Sequence, residues 1–331
     1  MNLLVVTNNP TNASFRQRIE VHLAMLHENG IDCEVAKLPP GFLGRRKLFI
    51  RTAKFDGIFL QRKILNFRDA FWLHRHSRKI IYDFDDAVMY STKKPGSCCL
   101  SRQRRFRRSV ELADLVIAGN PYLAEHARKF NPRVEVLPTG LNTRAYTVKT
   151  KPENDGKIRL VWIGSKSTLP YLAEIKPVLE EIGARFDNVI LRIICNDFFD
   201  LQNMRVEKHQ WHKHTEVSDL ITSDIGLAPL PDDRFTRGKC GFKILQYAAA
   251  GLPVVASPVG VNAEYVRDGV TGFHATNTSQ WIDKISQLIE NAELRKRMGQ
   301  EGYVQVQRFD LSTVGKQLCK LVERCLEDVA P

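Results

Sequence analysis

Three short stretches of this chain gather residue types that can do chemistry. The first runs from Arg237 to Ala250, RGKCGFKILQYAAA. Lys239, Lys243 and Gln246 stand there at i, i+4 and i+7, one face of a helix predicted from Gly238 to Ala250. Lysines in the opening turns of a helix oppose its dipole, which favours anions at that end. A bound phosphate reconciles them with it; a solvated lysine face is the plain alternative. The second stretch is Gly164-Ser165-Lys166-Ser167-Thr168, between an apolar run and a helix predicted from Leu169 to Ile182. Backbone N–H groups at such a helix start cradle phosphate, and the hydroxyls of Ser165, Ser167 and Thr168 add donors. An ordinary βα turn with a Ser/Thr cap is the alternative. The third is Tyr82-Asp83-Phe84-Asp85-Asp86, three carboxylates at a strand exit. They suit acid/base work, against a capping role with first-turn acids or a DxD-like metal site.

The elements that must position these residues alternate between strand and helix. Asn2 to Thr7 is an apolar strand, residues 8–14 are rich in turn formers, and Phe15 to Asn29 reads as an amphipathic helix closed by Gly30. The loop lacks GxGxxG, so a dinucleotide fingerprint is absent. Further strands are predicted over 33–37, 57–61, 79–83, 113–118 and 134–137, with a helix over 68–77. Asn120-Pro121 reads as an N-cap followed by proline at the first helical position. Residues 149–157 form a polar linker. Beyond it come strands over 158–163, 189–195, 224–228 and 253–256, and helices over 279–290, 292–307 and 311–328. Repeated βα units with apolar, doubly covered strands predict an α/β protein built from two Rossmann-like, doubly wound domains. His209-Gln210-Trp211-His212-Lys213-His214 reads as strand alternation rather than as a metal site.

Composition narrows the function. The chain has 331 residues, enough for two domains with their own cores. No run approaches the roughly 18 apolar residues of a membrane helix. The N-terminus reads as a mature, cytoplasmic one, with a strand where a leader would stand. Seven cysteines without a CxxC pair read as reduced thiols with no zinc site. The net charge of +12 is uneven: residues 1–150 hold 26 Lys+Arg against 13 Asp+Glu, and the remainder hold 23 against 24. The first half thus points to an anionic partner, such as a membrane surface or an anionic lipid-linked molecule. Residues 93–108 are the most basic stretch, with Arg104, Arg105, Arg107 and Arg108 around Phe106. A basic patch with an embedded aromatic can bind membrane headgroups. Nucleic acid is disfavoured because no recognised module accompanies the patch.

The run Gln246-Tyr247-Ala248-Ala249-Ala250-Gly251-Leu252-Pro253-Val254-Val255, then Gly260 to Glu264, then Asp268-Gly269-Val270-Thr271-Gly272-Phe273 resembles the C-terminal domain of the family-four retaining GT-B glycosyltransferases. The resemblance is strong over residues 224–273 and moderate elsewhere. It implies two domains facing a cleft: an acceptor domain over 1–148, a nucleotide-sugar domain over 158–310, and a last helix, 311–331, that packs back on the first domain. It implies transfer of a sugar from a nucleotide diphosphate sugar with retention of configuration, without cofactor or metal. The donor site would comprise Gly164, Ser165, Lys166, Ser167, Thr168, Arg237, Lys239, Lys243, Gln246 and Glu264. Asn12, Arg16, Arg18 and Asn120 would line the acceptor side, and Asp85 and Asp86, with Lys243, would carry catalysis. Many members place a histidine near the exit where Asp85 and Asp86 stand. Members also usually carry two glutamates on the helix of the donor domain, where this chain has Gly238 and Gln246. That departure marks a divergent branch. It also keeps open a nucleotide-sugar epimerase on the same fold or a degenerate partner protein. The acceptor expected is a glycan, a lipid-linked molecule or a small molecule, reached by a cytoplasmic protein with peripheral contact to an anionic membrane.

Overall fold

In the first half of the chain six short runs between turn formers become strands, the four central ones apolar and covered on both faces and the two outer ones more exposed. They are β1 (Asn2–Thr7), β2 (Asp32–Lys37), β3 (Gly57–Gln61), β4 (Ile80–Phe84), β5 (Leu115–Ala118) and β6 (Val134–Val136). All pair in parallel, in the order β2-β1-β3-β4-β5-β6. The computed structural model describes residues 1–91, 99–146 and 155–327, so the first part of the basic stretch and most of the polar linker lie outside the described residues. Strand alternation sorts the side chains. Leu3 and Val5 enter a core with Ile31, Phe59 and Ile81, while Leu4 and Val6 enter the opposite one with Phe49, Leu60 and Tyr82. The helix Leu311–Glu327 closes the first of these, because Val314, Leu318, Val322 and Cys325 fall on one stripe.

The second sheet holds β7 (Ile158–Ile163), β8 (Val189–Cys195), β9 (Arg205–Gln210), β10 (Ile225–Ala228), β11 (Val254–Ala256) and β12 (Gly272–His274). Its order is β12-β11-β10-β7-β8-β9, again all parallel. Leu160 and Trp162 of β7 point into one core and Val161 and Ile163 into the other. The chain divides into two units, Met1–Gly140 with Asp233–Cys240 and Leu311–Pro331, and Leu141–Asp232 with Gly241–Asp310.

Strand order decides where ligands can sit. In the first sheet it reverses between β1 and β3, in the second between β7 and β10. Open α/β sheets bind ligands outside the carboxyl ends of the strands at such switch points. At the second of them β7 and β10 pair only from Leu160 to Val161 against Ile225 and Gly226. Beyond that the buried Tyr247 bridges the strands. Its hydroxyl accepts from the Ile163 N–H at 3.1 Å and donates to the Leu227 carbonyl at 3.2 Å. Gly226 makes room, since a Cβ there would lie 2.6 Å from the tyrosine ring. Removing the hydroxyl leaves a buried amide and carbonyl unsatisfied. Tyr247→Phe is therefore expected to cost about 1–3 kcal/mol in urea unfolding.

Two expected helices are broken. The run from Phe15 to Asn29 divides into Ala13–Arg18, a 3-10 turn at Glu20–His22, and Leu23–Glu28, because Ile19 leaves the helical region at φ −125°. The run from Leu169 divides into Leu169–Ala173 and Lys176–Arg185. Pro177 has no N–H for the carbonyl one turn back, so a continuous helix would lose a bond there.

Candidate functional site

The exits of β3 and β4 assemble a dense polar cluster in the first unit. Asp83, on β4, is buried and takes the Arg18 Nε at 2.8 and 2.9 Å, with Arg18 Nη2 at 2.7 Å. Arg18 also donates to the Leu137 carbonyl at 2.8 Å. Asp85 accepts from Ser14 Oγ at 2.6 Å and lies 3.3 Å from Arg62 Nε. Asp86 pairs with Arg62 on one side and with Lys239 Nζ at 3.0 Å on the other. Burial alone would raise the Asp85 carboxyl. Arg62, Arg18, the Ser14 bond and Lys239 outweigh it and hold the group below the usual carboxylate range. A carboxylate so held accepts hydrogen bonds and positions cations, and is no proton donor near neutrality. Arg62 holds φ +56°, the sole positive φ outside glycine among the described residues, and its N–H donates to the Asp83 carbonyl at 2.7 Å. Backbone strain of that kind persists where surrounding contacts over-determine it, and it clusters at functional sites.

Above this cluster, at the β1/β3 switch point, opens a cavity of about 380 Å³. A hydrogen-bond relay forms part of its wall. Thr7 Oγ1 donates to Gln61 Oε1 at 2.8 Å, and Gln61 Nε2 donates to Ser14 Oγ at 3.2 Å. Asn12 lines the cavity and caps its helix, accepting from the Ser14 N–H at 3.2 Å. Arg16 is half-buried on that helix and is not among the cavity's lining residues. Asn120 is buried. Its Oδ1 accepts from the Leu123 N–H at 2.8 Å, and its Nδ2 donates to the Lys239 carbonyl at 3.0 Å, so its amide is spent within the unit.

The single helical face expected for Lys239, Lys243 and Gln246 does not form. Gly241 sits at φ +63°, and the helix runs only over Phe242–Ala249. Residues 233–240 instead belong to the first unit. Asp233 starts a 3-10 turn by accepting from Phe235 and Thr236, and Tyr122 donates to the Arg234 carbonyl at 3.1 Å. Arg237 is exposed on that turn. Cys240 donates to the Asp85 carbonyl at 3.2 Å, and burial together with Asp85 and Asp86 pushes its thiol up, so it is a neutral packing group. Gly238 explains its own identity: a Cβ there would lie 2.7 Å from Ala87 Cβ and 2.9 Å from Ala87 N. Gly238→Glu, the residue that the family resemblance implies here, is expected to lower stability by about 1–3 kcal/mol through overpacking, with no gain in activity. Melting temperature and turnover of the variant check this.

In the second unit Gly164 follows β7 directly at the switch point. A Cβ on Gly164 would lie 2.4 Å from the Trp162 ring and 2.9 Å from Lys243 Nζ. The Lys243 ammonium lies 4.0 Å from the Trp162 ring centroid. A buried indole thus holds one cation beside the turn. Within the turn the Ser165 N–H is spent on Thr168 Oγ1 at 3.1 Å, and the Thr168 N–H on the Ser165 carbonyl at 2.9 Å. The Lys166 and Ser167 N–H groups have no acceptor among the described residues, and the Ser167 hydroxyl lies 2.9 Å from that of Ser165. Lys166 reaches outward to Asp197 at 3.1 Å. Gln246 faces inward, 4% exposed, and donates to the Tyr146 hydroxyl at 3.3 Å. Glu264 is exposed, 3.5 Å from Arg308.

The reading of the basic stretch changes. Phe106 is buried against Phe84, 5.3 Å between ring centroids, so the aromatic of the basic stretch is core and not an anchor. His209 pairs with Asp219 at 2.8 Å and Trp211 donates to Glu216 at 2.8 Å. Among the described residues no group of three or more His, Cys, Asp or Glu is placed to hold a metal ion. No helix among them is long and apolar enough to cross a membrane. Sequence reading missed Arg62, Gln61, Ser14 and Tyr247. Their signal is positional: each lies at a strand exit or on a strand-facing helix, visible only once strand order is known.

Residues 205–305 match the family model described as "Glycosyl transferases group 1". A D-inositol 3-phosphate glycosyltransferase of Corynebacterium aurimucosum is 31% identical over 104 residues, 31% of this chain and 24% of that protein. A phosphatidyl-myo-inositol mannosyltransferase of Mycobacterium leprae is 33% identical over 85 residues, 25% of this chain and 23% of that protein. The chain thus spans about a quarter of the length of these relatives. The crystal structure of HepE from Anabaena in complex with UDP and glucose has a TM-score of 0.72 at 17% identity, covering 98% of this chain and 100% of that one. At that identity the likeness speaks for the fold alone. The segment that carries β9 through β12 is thus similar to the group 1 glycosyl transferases, and the two Rossmann-like units have the GT-B fold.

Proposed function

We propose that this protein is a glycosyltransferase that moves a sugar from a nucleotide diphosphate sugar to an acceptor with retention of configuration. The observation that carries the reading is the Lys243 ammonium, held over Trp162 against a glycine at the β7/β10 switch point of the family-matched unit. A cation in that place offsets charge that develops on a departing diphosphate. The Lys166 and Ser167 N–H groups supply further donors. The neighbouring fold of HepE was solved with UDP and glucose, which supports a nucleotide-sugar donor. The first unit would take the acceptor, a glycan, a lipid-linked molecule or a small molecule, with Asp85 and Asp86 holding cations and accepting hydrogen bonds at its site. Peripheral contact with an anionic membrane is part of the reading. Phe67 and Phe71, 72% and 54% exposed at i, i+4 on the helix Phe67–His76, support it beside Arg68 and Arg75.

The deciding experiment is a thermal-shift screen against UDP-, GDP-, ADP- and dTDP-sugars. A ligand that binds only the folded state at about 100 times its Kd adds about 2.7 kcal/mol. A shift with one nucleotide class names the donor base, and the anomeric proton coupling of the product reads retention. Absence of any shift overturns the reading in favour of a degenerate partner protein.

A further inference from the structure

The cavity at the β1/β3 switch point carries a charge pattern that its neighbours do not neutralise. Arg62, Lys63, Arg102 and Arg105 line it, and no carboxylate does. Arg62 is balanced from below by Asp85 and Asp86. Lys63 and Arg105 have no ion pair among the described residues, and Arg102 donates only to a backbone carbonyl, that of Val88 at 3.1 Å. Burial lowers the Lys63 ammonium, and the nearby Arg45 and Arg105 lower it further against the opposing Asp69. Like charges gathered in a concave site cost stability unless an anion joins them. The remaining wall is neutral: Asn8, Asn9 and Asn12 stand beside the Thr7–Gln61–Ser14 relay, which suits hydroxyls, and Phe15, Ile64 and Val88 complete it.

We propose that this cavity binds a phosphate monoester on a polyol, with Lys63, Arg102 and Arg105 on the phosphate and the asparagine side on the hydroxyls. This rests on the transferase reading only in making that ligand the acceptor. The phosphate group could belong to a soluble molecule or to a lipid headgroup, and the two sources share the same recognition chemistry.

The test uses the full chain. Glycerol 3-phosphate is titrated calorimetrically against glycerol, and flotation is measured with vesicles of phosphatidic acid in phosphatidylcholine against phosphatidylcholine alone. Lys63→Gln combined with Arg105→Gln removes two cations from the cavity. Lys54→Gln combined with Lys129→Gln removes two exposed cations that do not line it. Binding of glycerol 3-phosphate that weakens roughly tenfold in the first pair and holds in the second supports the proposal with a soluble source. Flotation with the same dependence, without binding of the soluble probe, supports it with a lipid source. No binding of either probe, or equal loss in both pairs, overturns it. The nucleotide-sugar shift is read in parallel. A protein that takes the phosphate probe but no nucleotide sugar keeps this site and refutes the transferase reading, and the reverse result does the opposite.

Discussion

Asp83→Ala is expected to destabilise the first unit by about 3–5 kcal/mol, the largest stability effect of any single substitution considered, because it strands a charge in the core. Arg18 and Asp83 are 3% and 1% exposed. The guanidinium meets the carboxylate through Nε and Nη2 and spends Nη1 on the Leu137 carbonyl. Remove the carboxylate, and the cation keeps one backbone acceptor in a site closed to water. The pair itself is a different quantity from the penalty for breaking it. Desolvating two ions cancels much of their attraction, so Arg18→Met combined with Asp83→Leu is expected to recover most of the lost stability. Urea unfolding of the two single variants and the double variant forms a cycle that reads the coupling directly. Equal losses that add in the double variant would show that the pair is not coupled. The pair also ties the helix after β1 to the exit of β4, and the Asp83 carbonyl holds the strained Arg62. Asp83→Ala should therefore also disturb Arg62, and with it the salt links to Asp85 and Asp86.

Most strands were legible because they are short apolar runs between turn formers, whereas Arg205–Gln210 is largely polar and Gly272–His274 was not among the runs read as strands. Gly57–Gln61, Ile158–Ile163 and Val189–Cys195 have the boundaries that their composition suggests. Helix starts were less legible, for identifiable reasons. Nothing in the propensities of residues 238–241 reveals that Gly241 takes a left-handed conformation and hands the preceding residues to the other unit. Pro177 could have been read as a break, since an interior proline removes a helical bond. Phe106 could have been read as core too: it shares an i, i+3, i+4 stripe with the buried Ser109 and Val110, hidden by the arginines around it. The carboxylates of Asp85 and Asp86 were visible at a strand exit. Their cation, Arg62, was not, because it depends on β3 lying beside β4. Turn chemistry at Gly164 was visible, but Lys243 reaching back over Trp162 is a tertiary fact.

Lys243→Ala is expected to lower kcat by roughly 10²–10³-fold, the loss typical of removing one preorganised group from developing oxyanion charge. Trp162 is fully buried and so cannot yield, its ring fixes the ammonium, and the glycine at 164 leaves the space that the ammonium occupies. If Lys243 bound substrate and transition state equally, its loss would raise KM and leave kcat unchanged. If it acts on the departing diphosphate, kcat and kcat/KM fall together. Gly164→Ala tests the same site without touching the lysine. Its methyl group would meet the indole at 2.4 Å and the ammonium at 2.9 Å, so one of them must move. The variant should lose rate as Lys243→Ala does, and it should also lose stability, which Lys243→Ala should largely keep. Combining the two substitutions then decides the matter. A double variant no slower than the slower single one means that both act through the position of one ammonium. Multiplied losses would give the turn a role of its own and would remove Lys243 from the centre of the proposed chemistry.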